Sequence, residues 1–222
     1  MKTIINIILF LCVSASAGAQ KTMREAWLSM PDSLCLYLNQ SLRTELVDFV
    51  DMGVKAEVKN LMNSVSVMDT LTANYTRVSL SEALTIDMKL LPKADADTII
   101  CMVKTYSAPA KESIVSFYDT AWNPLAGDFG LAEMKPVNQT DSSASALIDN
   151  FVVSPDTLSR SEFEKRKKLI DPLMICAELS PNDDTISFSL SLPLTIREEQ
   201  ELLKQIIVQR KFKWQQGIFN KY

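Results

Sequence analysis

Residues 99–103 read Ile-Ile-Cys-Met-Val, an unbroken apolar run. Side chains alternate between the two faces of a strand, so this run predicts a strand that is covered on both sides. Residues 107–110 contain Pro109, which has no N–H to donate to a sheet, and residues 113–118 then return toward Trp122. The pattern predicts a hairpin that holds much of the core.

Before this hairpin, apolar and polar residues alternate with a period of two, which indicates half-exposed strands. The apolar rows are Val65 and Val67, then Val78 and Leu80, then Leu84, Ile86, Met88 and Leu90. We expect Thr85, Asp87 and Lys89 on the opposite, solvent-facing side. Short connections between these segments predict an antiparallel meander, because parallel neighbours need a long crossover.

Helices are predicted at the start of the chain by capping patterns and helical spacing. Thr22 and Glu25 form a capping box that opens a short helix. Asp32 is predicted to cap a second helix that ends at Gly53, with Arg43 facing solvent.

The second half repeats the mixture of helices and strands. Capping boxes at 159–162 and 195–198 predict helices. Strands are predicted at 148–153, at 173–179 as another central strand, and at 186–192, followed by a terminal hairpin around Gly217. A polar stretch at 138–145 indicates a loop or hinge.

The expected fold class is therefore α+β, with antiparallel sheets and helices gathered on one face. Two lobes are predicted, at 20–130 and 131–222, and one continuous domain is the alternative. The pattern Pro-Asp-Ser/Thr-Leu at both 31–34 and 155–158 leaves an internal duplication open.

The N-terminus predicts export. Residues 1–19 combine Lys2, an apolar run and a small-residue Ala-Gly-Ala end, the pattern of a cleaved signal peptide. The mature chain is expected to begin at Gln20 and to work in the periplasm or at the cell surface. The rival interpretation, a lipoprotein anchored through Cys12, is disfavoured by the bulky Leu11 before it.

Several short motifs carry a family resemblance. They are Met-Pro-Asp-Ser-Leu at 30–34, Asp-Met-Lys-Leu-Leu-Pro at 87–92 and Phe-Tyr-Asp-Thr-Ala-Trp at 117–122. These motifs resemble an uncharacterised family of exported proteins from Gram-negative gut bacteria, known as a domain of unknown function. The resemblance implies export and a shared fold, and it brings no activity, substrate or catalytic residue.

The composition of the chain argues against several classes of function. The chain has no histidine, which excludes Ser-His-Asp and Cys-His catalysis. Its five glycines form no phosphate-binding motif, and a net charge of −4 argues against nucleic acid as a partner. No later apolar segment is long enough to span a bilayer. We assign no cofactor, no metal and no catalytic residue.

The cysteines of the mature chain are odd in number and widely spaced. Cys35, Cys101 and Cys176 form no disulfide framework, and we expect buried free thiols. A Cys101–Cys176 bridge is the alternative.

Carboxylates and aromatic residues are the remaining candidates for chemistry. Asp95 and Asp97, like Asp183 and Asp184, would supply an acid/base pair, but aspartate at a turn more often binds its own backbone. The basic run at 165–168 is typical of a solvated helix end.

Tyr118, Trp122 and Trp214 lie at predicted strand ends, where rings either stack on a ligand or close a core. The function that we infer is a non-catalytic binding or assembly module of the cell envelope, with an envelope protein or glycan as partner. The alternative is a carboxylate-dependent hydrolase acting on glycan or peptide.

Asp-Ser/Thr-aliphatic triplets occur six times, where composition predicts about one. The triplets suit element boundaries, and they also resemble the acceptor of the general protein O-glycosylation of such bacteria. We predict O-glycosylation at Thr70, Thr120, Thr157 and Thr185. Ser33 and Thr98 are weaker candidates, because each begins an element whose next residues are predicted to be buried.

Overall fold

The computed structural model describes residues 21–93, 97–134, 141–193 and 196–222, without the side chains of 141–144. The predicted signal peptide, the cleavage at Gln20, Cys12 and Asp95 lie outside these residues. The helices are α1 (Met23–Ser29), α2 (Gln40–Asp51), α3 (Asp141–Asp149), α4 (Arg160–Lys167) and α5 (Arg197–Lys204). Among the described residues, no helix has the length and apolar character needed to cross a membrane.

A six-stranded antiparallel meander forms the first sheet, and each strand pairs with the next along the chain. Its strands are β1 (Glu57–Lys59), β2 (Val65–Leu71), β3 (Tyr75–Ser81), β4 (Leu84–Pro92), β5 (Thr98–Tyr106) and β6 (Glu112–Asp119). The predicted meander is confirmed. So is the hairpin of β5 and β6, with residues 98–103 buried on both faces.

The second sheet has four antiparallel strands in the order β10, β9, β8, β7. They are β7 (Met174–Leu179), β8 (Thr185–Ser191), β9 (Arg210–Gln215) and β10 (Ile218–Lys221). The terminal hairpin turns through Gln216 and Gly217, both with positive φ, as a tight two-residue turn requires. The α+β prediction with antiparallel sheets is confirmed.

Two main cores lie on opposite faces of the first sheet. On one face, Trp27 of α1 and Leu46 of α2 pack against Val78 and Met102. On the other face, the second sheet contributes Ala177, Leu179, Ile186 and Phe188 to a core shared with Cys101, Val103 and Phe117. This second core joins residues from both sides of the predicted boundary at 130. The division into two lobes stays a prediction.

In the first sheet, three expectations about which side chains face solvent are wrong. Asp87 and Lys89 are buried, because the second sheet covers the face of β4 from which they project. Val65 is 54% exposed, while Ser66 and Met68 point inward instead. The buried Ser66 hydroxyl donates to the carbonyl of Leu80 at 2.8 Å, which compensates its desolvation.

The second helix begins later than predicted. Asp32–Leu34 forms a single 3₁₀ turn, and the N-cap of α2 is Asn39, whose side chain accepts from the Leu42 N–H. Arg43, predicted to face solvent, is buried, because its guanidinium binds backbone carbonyls of the preceding loop. Gly53, at which this helix is predicted to end, has the left-handed conformation that favours glycine.

In the second half, residues 148–153 are not a strand. They close α3 and make one bridge, from Val152 to Ile207. Strand β7, predicted to be central, lies at an edge of its sheet. The Ser159 cap is confirmed, since its Oγ accepts from the Glu162 N–H. The cap predicted at Thr195 lies outside the described residues. Within them, α5 begins at Arg197 with Ile196 as N-cap and no side-chain bond at the cap.

Candidate functional site

A pocket of about 330 Å³ opens between the two sheets, beside the first half of β6. Its walls come from β6, β7, β8, α3 and the segment before α3. The lining residues are Glu112, Ser113, Ile114, Val115, Leu131, Met134, Leu147, Leu173, Ile175 and Phe188. The pocket is therefore a product of tertiary packing rather than of one local motif.

Hydrogen bonds from β6 to the second sheet fix the position of the pocket wall. The Ala177 N–H donates to Ser113 Oγ at 2.9 Å, and Ser113 Oγ lies 2.8 Å from the Thr105 hydroxyl. Just before β6, the Lys111 N–H donates to Ser191 Oγ at 2.8 Å. These side-chain bonds join strands that do not pair as a ladder, so the space between them stays open.

The lining is apolar apart from Glu112 and Ser113. The volume of the pocket falls at the lower end of the range of about 300–1,000 Å³ that is typical of small-ligand sites. Glu112 is the one carboxylate in the lining, so the paired carboxylates that the hydrolase alternative requires are not built here. The chemistry of the pocket favours binding of an apolar group.

A buried polar cluster lies elsewhere in the contact between the sheets. Asp87 accepts a hydrogen bond from the Tyr75 hydroxyl at 2.7 Å, and Arg77 donates to both of its carboxylate oxygens, at 2.8 and 3.1 Å. The Lys89 ammonium donates to the Ser180 carbonyl at 2.7 Å. Lys89 thereby ties the first sheet to the turn between β7 and β8.

Burial perturbs each titratable member of this cluster. Burial raises the pKa of the Asp87 carboxyl, with its Arg77 and Tyr75 hydrogen bonds acting in the opposite direction. Burial and the Asp87 charge raise the pKa of Tyr75. Burial lowers the pKa of Lys89, against the attraction of Asp184, whose Oδ1 lies 3.7 Å away. Perturbed groups mark functional sites only where a ligand reaches them, and here their partners are other residues of the chain.

Neither the pocket nor the buried polar cluster is predicted from the sequence. The signal available for the cluster was the pairing of Arg77 with Asp87 as direct partners on β3 and β4, a cross-strand charge pair. No comparable local signal exists for the pocket, since its lining residues come from distant segments.

The comparisons with known proteins give a family and a fold. A family model described as Protein of unknown function (DUF3256) matches residues 14–219. The chain belongs to this family. The resemblance to an uncharacterised family is thus confirmed, while export and a gut-bacterial origin stay predictions.

One solved structure shares the fold of this DUF3256 chain. It is a domain of an uncharacterized protein from Porphyromonas gingivalis W83, with 21% sequence identity and a TM-score of 0.68. The match covers 91% of this chain and 98% of that one. No curated protein matches the chain significantly.

The three candidate aromatics of this DUF3256 chain are not gathered at one place. Tyr118 and Trp122 meet on the helix-covered side, with ring centroids 5.4 Å apart, and the Trp122 indole donates to the Ala26 carbonyl at 3.1 Å. Trp214 belongs to the core between the sheets and donates to the Pro92 carbonyl at 2.6 Å. Both tryptophans are buried, and a binding role for the three stays a prediction.

The remaining candidates differ in accessibility. Thr157 is exposed, Thr70 and Thr120 are half-buried, and Thr185 is buried, with its hydroxyl 3.4 Å from that of Tyr222. Asp183 caps its own turn, where the Ser180 side chain lowers its pKa. Among the described residues, no three His, Cys, Asp or Glu side chains are grouped to hold a metal.

Proposed function

We propose that this DUF3256 protein is a non-catalytic binding module and that its ligand site is the apolar pocket beside β6. The observation that carries the proposal is the lining: a cavity of about 330 Å³ whose walls are apolar except for Glu112 and Ser113. Binding sites are commonly concave, apolar and equipped with a few polar groups that orient the ligand.

A fluorescent apolar dye tests this proposal directly. We expect neutral N-phenyl-1-naphthylamine to bind the protein with increased emission, because the pocket excludes water from the ring. Two variants that fill the pocket, Val115→Phe and Ile175→Phe, are expected to weaken dye binding by about tenfold or more. The matched control is Ile218→Phe, a change of similar size at an exposed position on β10.

The dye result decides the proposal. Equal dye binding by the filled variants and the control, with all three folded by circular dichroism, would show that the pocket is not the site. Absence of dye binding by the wild-type protein would have the same consequence.

We further propose that the module works in the cell envelope after export. The support is the signal-like pattern of residues 1–19, which ends in small residues before Gln20. Intact-mass measurement of protein from its native envelope is expected to give a chain beginning at Gln20. A diacylglycerol mass on Cys12 would replace this proposal with a lipid-anchored one.

A further inference from the structure

Exposed strand edges carry unpaired N–H and C=O groups, and proteins normally protect them. Two of the four edge strands, β1 and β10, are protected. Strand β1 has three residues, of which Glu57 and Lys59 are charged. In β10, the Phe219 N–H donates to the Phe129 carbonyl at 2.7 Å, so a loop covers this edge.

The second half of β6 is protected in the same way. The Leu125 N–H donates to the Phe117 carbonyl at 2.9 Å, and the Asp119 N–H donates to the Asn123 carbonyl at 3.0 Å. These bonds lie on the side of β6 away from β5. Backbone groups alternate sides along a strand, so the groups of Ser113 and Val115 point to this same outer side.

No other strand pairs with this outer side within the described residues, because β6 pairs with β5 alone. The first half of β6 therefore presents the N–H and C=O of Val115 at an open edge. Val115 also lines the pocket. An open main-chain edge and an apolar cavity thus lie at the same place.

Strand β7 presents a second open edge to the same pocket. The Ala177 N–H donates to Ser113 Oγ on the side of β7 away from β8. The backbone N–H and C=O groups of the odd-numbered residues of β7 therefore lie on this outer side. Ile175 is such a residue, and it lines the pocket. The two edges meet at the contact of Ser113 with Ala177 and flank the cavity beside it.

We propose that this cleft binds an extended segment of a partner polypeptide, which adds to the open edge of β6 as a further strand. The segment donates to and accepts from the Val115 backbone, and an apolar side chain enters the pocket between β6 and β7. Alternating main-chain bonds and side-chain pockets are the features by which sheets recognise extended peptides. The proposal rests on the proposed function, since it names the class of ligand for the same site.

The test uses a substitution that removes one main-chain donor. Val115→Pro deletes the outward N–H and leaves the pairing with β5, because proline is tolerated on an edge strand where its missing N–H faces outward. The matched control, Val115→Ala, shortens the side chain and keeps the N–H. The probe is a labelled peptide of alternating valine and threonine with lysine at each end, measured by fluorescence anisotropy.

We expect the wild-type protein and Val115→Ala to bind the peptide, and Val115→Pro to bind it at least about tenfold more weakly than Val115→Ala. The same peptide with alternate amides methylated keeps its side chains but loses donors, so it is expected to fail on the wild-type protein. This second comparison decides the matter if Val115→Pro does not fold.

Two results would overturn the inference. One is equal affinity of the methylated and unmethylated peptides, which would show that the main chain is not recognised. The other is binding of the apolar dye in a pocket-dependent manner without binding of the peptide, which would leave the proposed function standing and remove the polypeptide ligand. Failure of the dye as well would remove the proposed function itself.

Discussion

Arg43 Nη1 lies 2.8 Å from Asp32 Oδ1, in a salt bridge whose two partners differ greatly in exposure: the Arg43 side chain is 2% exposed and that of Asp32 is 61% exposed. The same guanidinium donates to the carbonyls of Leu38, at 2.7 Å, and Met30. Its Nε is buried and has no partner among the described residues. Arg43 therefore organises the loop before α2 chiefly through backbone carbonyls.

Arg43→Met is expected to lower the free energy of unfolding by about 2–4 kcal/mol, because two carbonyls lose their donors in the interior. Asp32→Asn is expected to cost less than about 1 kcal/mol, since the Asp32 side chain is 61% exposed and water screens its attraction to Arg43, whose carbonyl bonds remain. Urea denaturation of both variants measures the difference. Equal losses would show that the ion pair, rather than the carbonyl bonds, carries the contribution.

Tyr75→Phe is expected to destabilise the protein in a pH-dependent way. The Tyr75 hydroxyl donates to Asp87 at 2.7 Å, and a buried bond to a charged acceptor contributes about 1.5–3 kcal/mol. The loss should be larger at neutral pH than at acid pH, because the Tyr75 hydroxyl binds an ionised carboxylate more strongly than a protonated one. The other charges acting on Asp87 are Arg77 and Glu178.

The sign of this pH dependence follows from the linkage between proton binding and folding. Burial raises the pKa of Asp87 in the folded state, so the folded protein holds this proton more tightly than the unfolded chain does. Stability from this group is present at acid pH and falls as pH rises through the folded pKa. Removing the Tyr75 donor raises the folded-state pKa of Asp87 further, so the loss of stability continues to a higher pH. A loss of equal size at pH 4 and pH 7 in urea denaturation would contradict this account.

The parts of the fold that sequence predicts are those in which the deciding contacts are local. The meander follows from strands joined by short connections, and the Thr22–Glu25 capping box forms as its spacing indicates. The alternating pattern of β4 predicts the wrong exposure for Lys89. This residue is buried because its ammonium donates to the carbonyl of Ser180, which is distant in sequence. Local polarity cannot reveal a partner that arrives from another sheet.

The pocket was beyond sequence analysis for the same reason. Val115 and Ile175 come from different sheets, and the space between them exists because Ser113 joins their strands through a side chain rather than a ladder. The sequence suggests the aromatic residues as candidates for binding. In the structure Trp122 and Trp214 are core residues, and the indole N–H of each donates to a backbone carbonyl. A polar ring atom is satisfied as well by the chain as by a ligand.

Three free thiols are expected in the chain that begins at Gln20. Cys35, Cys101 and Cys176 are buried and unbridged, and burial raises the pKa of each thiol, which suppresses the reactive thiolate. Iodoacetamide without reductant should add three alkyl groups after denaturation and few before it, as read by intact mass. A single addition after denaturation would indicate a Cys101–Cys176 bridge.

Glycan at the Asp-Thr-aliphatic triplets is expected to follow exposure. Thr157 is exposed and is the first candidate, Thr70 and Thr120 follow, and Thr185 needs a local opening because it is 7% exposed. Glycopeptide mass spectrometry of protein from its native envelope, with Thr157→Ala as control, measures occupancy. If every triplet hydroxyl is bare, the triplets serve as element boundaries alone.

Gly130→Ala is expected to be far more damaging than Gly53→Ala, although both glycines have positive φ. At Gly130, a Cβ would lie 2.1 Å from the Phe219 carbonyl oxygen, so the loop that covers β10 would have to move away from it. At Gly53, nothing lies within 4 Å of the added atom, and the cost is that of the left-handed backbone, about 1–2 kcal/mol. We expect Gly130→Ala to lose more than about 3 kcal/mol in urea denaturation. Losses of the same size at the two positions would show that backbone conformation, and not the approach of Phe219, fixes glycine at 130.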